Sequence, residues 1–369
     1  MKTPATIRRA SQQARNAMRD LDAQAVRDLL ALYQAAGDEV RAAIRARVGA
    51  DDAVAREHLQ GLLRQIEDIT AALGQRRDAA ISTAIDRAAE LGVRPYTPAG
   101  AAAVGSHIGN NTHAVLDSAA AMRVHQEAVA FVQAFRAADG LTLSDRLWRL
   151  DQGAKEVLQR AIGNAVVQGW SGTRAAMDLA MRGQAVTADV ARQVAGAKAG
   201  ALVRVADLLT SGDGAELWKA ERVMRTEINR AHGEAYMAAG EQTPGFGGWR
   251  FLLSPRHPRP DVCDYFAAQN LYGLGPGVYP DRARCPWPAH PNTLSFVELV
   301  FADEVTDADR AGKETELQAL GRLAPEIRAG VLGQTKAAYF DAGLLRSKGM
   351  IRSPLRAVNA RLERQGVLG

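Results

Sequence analysis

Two apolar runs, GGWRFLLS (Gly247 to Ser254) and TLSFVELVF (Thr293 to Phe301), enclose the stretch HPRPDVCDYFAAQNLYGLGPGVYPDRARCPWPAHPN (His257 to Asn292). Aromatic and aliphatic residues dominate both runs, which is strand composition. The enclosed segment is dense in Pro and Gly and carries both cysteines of the chain and two of its seven histidines. The expectation is an antiparallel strand pair closed by a long irregular loop. A loop of that length inside a compact domain is functional, or is held by something other than its own hydrophobicity.

Outward from this region the pattern is helical on both sides. Val26, Leu29, Leu30, Tyr33, Val40, Ile44 and Val48 recur at helical spacing, Gly49 ends the run, and Asp51 or Asp52 can cap the next. That next run carries Leu62, Leu63, Ile66, Ile69, Leu73, Ile81, Ile85 and Leu91. The pair reads as an antiparallel helical arm over residues 1–94 with a basic N-terminus, too thin to hide Leu29, Tyr33, Leu62 and Ile66 by itself. Residues 95–113 read as a linker, 114–240 as a helical domain in which Ser144 caps a strong helix, 241–304 as the strand–loop–strand core, and 305–369 as a helical, basic tail. Within 114–240, Gly169 to Gly183 reads as a turn into a short helix, followed by a helix from about Ala188 to Leu209. The expected class is α+β, predominantly α-helical.

Composition narrows the function classes. The chain has 369 residues, two or three folding units' worth, with a net charge of +5 and only 5% aromatic residues. Two cysteines exclude a disulfide-rich scaffold and fit a reducing compartment. The first residues lack the apolar core of a secretory signal, and the longest uncharged stretch is broken by Pro, Gly and Asn, so a soluble protein with no membrane contact is expected. Residues 1–19 carry five basic groups and no acid, and 343–369 carry a further excess of +5, leaving the body acidic. Arg8, Arg9, Arg15, Arg352, Arg356 and Arg361 are therefore candidates for contact with DNA phosphates, although basic ends also serve simple solvation.

The loop holds the one constellation with chemistry. His257 with Cys263, and Cys285 with His290, form two close nitrogen–sulfur pairs across a spacer, the arrangement a tetrahedral structural zinc needs. Two other readings fit the same residues: both cysteines are buried small hydrophobes and the His-Pro dipeptides are turns, or Asp261 and His290 are catalytic. No phosphate loop, dinucleotide fingerprint, nucleophile elbow or HExxH motif is present. Glu227 and His232, five apart, fall on different faces of one helix and make no acid–base pair.

The string RTEINRAHGEAY (Arg225 to Tyr236), followed by GGWRFLLS, HPRPDVCD and CPWPAHPN, resembles the phage Mu protein F-like family of minor head (head morphogenesis) proteins. The resemblance extends over about Leu141 to Phe301. It places the family's motif on Arg225, Thr226, Glu227, Asp261, Cys263, His290 and Pro291. Where relatives often continue His-Pro-Asn-Cys-Arg-Cys, this chain has His290-Pro291-Asn292-Thr293-Leu294-Ser295. The resemblance implies a non-enzymatic virion component bound to the portal protein inside the capsid, present in the host cytoplasm during assembly. Scaffold or major capsid protein and packaged double-stranded DNA are its further candidate partners. The exposed arm would be the docking element. The alternative from another class is a metal-dependent nuclease or similar effector using Asp261, His257 and His290.

Overall fold

The computed structural model describes residues 3–47, 56–105, 115–136, 139–160, 206–210, 215–255, 257, 259–289, 293 and 295–367. The helix expected over 169–183, the one expected over 188–209 except its last turn (Ala206–Leu209, a short 3-10 helix), the Gly49 and Asp51/Asp52 boundary, the far half of the expected linker, and His290 with Pro291 all lie outside these residues. The chain is α+β and predominantly helical, with a small antiparallel sheet. No described helix is long and apolar enough to cross a membrane.

The helices are α1 (Thr3–Arg45), α2 (Arg56–Val93), α3 (Pro98–Ala103), α4 (Ser118–Ala134), α5 (143–160), α6 (Glu216–Gly240), α7 (Val262–Ala268), α8 (Asp307–Ala311), α9 (Glu316–Arg322), α10 (Pro325–Leu332), α11 (Gln334–Asp341), α12 (Lys348–Arg352) and α13 (Leu355–Arg364). The strands are β1 (Phe246–Leu252), β2 (Val278–Tyr279) and β3 (Phe296–Phe301). The chain divides into two compact units that are not contiguous in sequence: Met1–Ala17, Ala88–Val129 and Asn229–Gly369 form one, Met18–Arg87 and Ala130–Ile228 the other. The sequence-order division into arm, linker, helical domain, core and tail does not follow these units.

In the second unit α1 and α2 run antiparallel, with Arg47 beside Gly61 and Glu39 paired to Arg76 at 3.3 Å. α5 lies along α2: Glu67 takes Lys155 at 3.1 Å and Gln159 at 2.8 Å, and Arg77 takes Asp151 at 3.0 Å and the Leu147 carbonyl at 3.2 Å. The first half of α6 completes a four-helix bundle, with Arg225 paired to Asp22 on α1 and Arg146 of α5 paired to Glu227. This corrects the expectation of an exposed arm. Leu29, Tyr33 and Leu62 are 0% exposed and Ile66 1%. Two further helices cover the apolar stripe that a hairpin alone would leave open, so no docking surface exists at these positions. α5 is capped by Thr142 and not by Ser144: the Thr142 amide and hydroxyl donate to Asp145, whose amide donates back to Thr142 Oγ1.

The first unit is built on the sheet, in the order β2-β1-β3, with Trp249 opposite both Tyr279 and Leu299. The expected strand pair is thus three strands, the third drawn from inside the loop. Trp249 and Phe251 are fully buried, and Tyr96, Tyr236, Trp249 and Phe246 make a chain of tilted ring contacts at 5.3–5.4 Å. The near half of the expected linker belongs to this core: Pro95 and Tyr96 are buried, and α3 begins with Thr97 capping Gly100. The basic N-terminal segment is likewise no tail. Ile7, Ala10 and Ala14 put a buried, mostly small-residue face on α1. Behind the sheet, α9 and α10 pack on α7 around Leu320, and α12 and α13 close a second cluster of Leu345, Met350, Val358 and Leu362.

Candidate functional site

α7 starts in an aspartate-rich turn whose geometry gathers the loop's polar groups. Asp261 has extended backbone at the N-cap, and its Oδ1 accepts from the Cys263 amide at 2.7 Å. Asp264 closes the reciprocal bond, its Oδ2 accepting from the Asp261 amide at 2.8 Å. His257 Nε2 lies 2.9 Å from the same Oδ2 and 3.7 Å from Asp261 Oδ1. A carboxylate only accepts, so in this arrangement Nε2 carries the proton and donates.

His257, Asp261 and Asp264 thereby bring one ligand atom each within 4.8 Å of one another, the cluster of metal-ligating character among the described residues. One imidazole and two carboxylates suit a borderline or hard divalent ion, and binding would replace the Nε2 proton with the metal. The same three groups also satisfy one another through hydrogen bonds.

The expected cysteine–histidine set is corrected in part. His257 is in the cluster, but neither cysteine joins it, and His290 lies outside the described residues. The reason is helical phase. With Asp261 as the cap, positions 261 and 264 share the face toward His257, while Cys263 is turned into the core with Sγ 3.8 Å from Thr293 Oγ1. Cys285 sits in the turn after Asp281, its amide bonded to the Asp281 carbonyl at 3.1 Å. Burial pushes its thiol up to about 12 and raises that of Cys263. Asp264 is the residue that sequence reasoning left out of the set. Its signal was the Asp-x-x-Asp spacing of a capping box.

The motif residues on α6 are equally engaged. Thr226 Oγ1 donates to the Arg222 carbonyl at 2.7 Å, Arg225 pairs with Asp22 at 3.5 Å, and buried Glu227 accepts from Arg146 at 3.0 Å. Further along, Gly233 leaves room for the Trp287 indole, whose nearest carbon would stand only 1.6 Å from a Cβ there. Trp287 Nε1 donates to the Ser295 carbonyl at 2.9 Å, fixing the CPWP segment against this helix. Gly240 makes the same kind of room for Trp249 of β1.

The candidate DNA contacts divide. Arg8 is paired with Glu304 and Glu298, Arg15 stacks on Phe296 at 4.9 Å, and Arg352 pairs with Glu316 at 2.6 Å. Arg9, Arg356 and Arg361 are exposed, the last two on α13. Comparison of the chain with family models, with curated proteins and with solved structures found no match in any of the three.

Proposed function

We propose that this chain is a non-enzymatic structural component of a phage head, acting in head morphogenesis at the portal, with packaged DNA as a candidate contact. One observation supports the reading: the described residues that bear the resemblance use their functional groups to hold the fold. Thr226 and Glu227 are engaged within the bundle, Asp261 caps α7, Cys263 is buried, and Trp287 is seated on Gly233. A motif whose members brace a scaffold is what an assembly protein requires, whereas a catalytic motif leaves its polar atoms facing substrate.

The His257–Asp261–Asp264 cluster favours a second reading, a metal-dependent hydrolase such as a nuclease. Zinc is the ion proposed for this set, in place of the cysteine-bound zinc. One experiment weighs both: purified protein is assayed for metal content and for cleavage of plasmid DNA with Mg²⁺, Mn²⁺ or Zn²⁺, beside His257→Ala and Asp264→Ala. The head-protein reading expects no cleavage under any condition. Metal-dependent cleavage that both substitutions abolish would transfer the function to the cluster. Protein free of zinc, with melting unchanged on zinc addition, would remove the zinc assignment.

A further inference from the structure

Between α7, the segment 269–286, and helices α9 to α12 lies a cavity of about 370 Å³. Its walls are Tyr265, Phe266, Tyr272 and Tyr279 on one side and Leu320, Val331, Leu332 and Ile351 on the other. That volume is at the lower end of small-molecule sites (roughly 300–1,000 Å³), room for one mononucleotide-sized molecule and too little for a dinucleotide.

Two buried polar groups in this wall lack partners. The Tyr279 hydroxyl donates to the Phe266 carbonyl at 3.0 Å, so it must accept from Gln269 Nε2. That orients the amide and leaves Gln269 Oε1 as an acceptor with nothing bonded to it, in a side chain 4% exposed. The Tyr265 hydroxyl is also buried and unpartnered. Buried polar groups are nearly always satisfied, so an acceptor and a hydroxyl left without partners in two residues that line the cavity point to a ligand that would supply the missing bonds. Gly277 holds this arrangement: at φ +69° it bonds the Gln269 carbonyl through its amide at 2.7 Å, and a Cβ there would stand 2.6 Å from the Ala267 carbonyl.

The charge of the wall selects the ligand further. Arg284, Lys336 and Arg352 line it, with Arg284 also paired to Asp281, Arg352 and Lys348 to Glu316, and Lys336 donating to the Ile351 and Ser353 carbonyls, which leaves the wall with an excess of positive charge. We infer that the cavity binds a nucleotide, its base among the tyrosine rings with a ring or exocyclic N–H donating to Gln269 Oε1, and its phosphate at Arg284, Lys336 and Arg352. Flat aromatic walls take a planar ring, the unpartnered acceptor suits a donor, and the excess of positive charge favours an anion. The nucleotide can come free or as one residue of a single strand. Neither source depends on the head-protein reading.

Calorimetry on the full chain tests this with the four 5′-ribomononucleotides, their nucleosides, inorganic phosphate and a short single-stranded oligonucleotide. At least one mononucleotide binds with a Kd below about 1 mM and roughly tenfold tighter than either its nucleoside or phosphate. Gln269→Leu and Tyr265→Phe each weaken it by about fivefold or more. Tyr265→Phe removes only the unpartnered hydroxyl and leaves the melting temperature the same or higher, so its loss of binding is not a folding defect. An oligonucleotide bound with the same sensitivity to Tyr265→Phe assigns the site to a strand, and one that does not bind assigns it to the free nucleotide. The inference is overturned if no mononucleotide saturates, if phosphate alone binds as tightly, or if both variants bind like the wild type.

Discussion

His232 makes the stability of the first unit depend on acid. Its ring is partly buried on the second half of α6, stacked on Tyr236 at 6.1 Å, with Nε2 itself enclosed and lacking a partner. Burial first, and then the positive charge of Arg15, push its pKa down to about 4 from 6.5. The depressed value means the unfolded chain binds the proton more readily than the folded one. Neutral His232 is therefore fully accommodated above pH 6.5, and stability is lost as the pH falls toward 4. At about 1.4 kcal/mol per unit, the loss attributable to this one ring is about 2 kcal/mol by pH 5 and about 3 kcal/mol by pH 4. The assay is urea unfolding at pH 7, 6, 5 and 4, for the wild type and for His232→Phe, which keeps a ring on Tyr236 and cannot titrate. Carboxylates common to both proteins cancel in the difference between the two pH profiles. The wild type should lose about 3 kcal/mol more than the variant between pH 7 and pH 4. Parallel profiles would exclude His232 as the source of acid sensitivity, because they would mean that the ring either reaches water or charges in place.

Three further outcomes follow from the same packing. Leu62→Ala should destabilise the protein by about 3 kcal/mol in thermal or urea unfolding, because Leu62 is wholly enclosed by the bundle, and a loss below ~1 kcal/mol would return it to an exposed arm. Asp261→Ala removes the cap of α7 and its bond to the Cys263 amide, for an expected loss of about 1 kcal/mol, and an unchanged melting temperature would refute that role. If DNA binds through the exposed arginines of α13, Arg356→Ala with Arg361→Ala should lower the slope of log affinity against log salt by about 2, while Arg8→Ala, already paired with Glu304, should leave it nearly unchanged.

The class of fold was legible because helical spacing and strand composition are strong local signals. The expected runs around Leu29, Leu62 and Leu150 are helices, and GGWRFLLS and TLSFVELVF hold β1 and β3. The start of α1 was missed because its buried face is largely alanine, as at Ala10 and Ala14, and small residues give weak periodicity. β2 was missed because two residues, Val278 and Tyr279, cannot show alternation. The arm was misread for a different reason: a stripe of leucines says that a face is buried, not by what. Only the tertiary pairs of Glu67 with Lys155 and Arg77 with Asp151 name the covering helix.

At the candidate site, His257 and Asp261 were legible as chemistry-bearing residues, while the grouping was not. Ligand spacing along a Pro-rich loop does not reveal helical phase. The cap at Asp261 sets that phase, choosing Asp264 over Cys263. The orphaned groups of Gln269 and Tyr265 left no mark in the sequence, since being unpartnered is a property of the fold alone.

The proposed role as a structural head component is tested by co-expression with the portal protein encoded in the same genome, followed by affinity capture of the portal and size-exclusion chromatography. The full chain should co-purify with the portal at a fixed ratio, and His257→Ala should do so equally. Separate elution of the two proteins, together with DNA cleavage by the wild type that His257→Ala abolishes, would contradict that role.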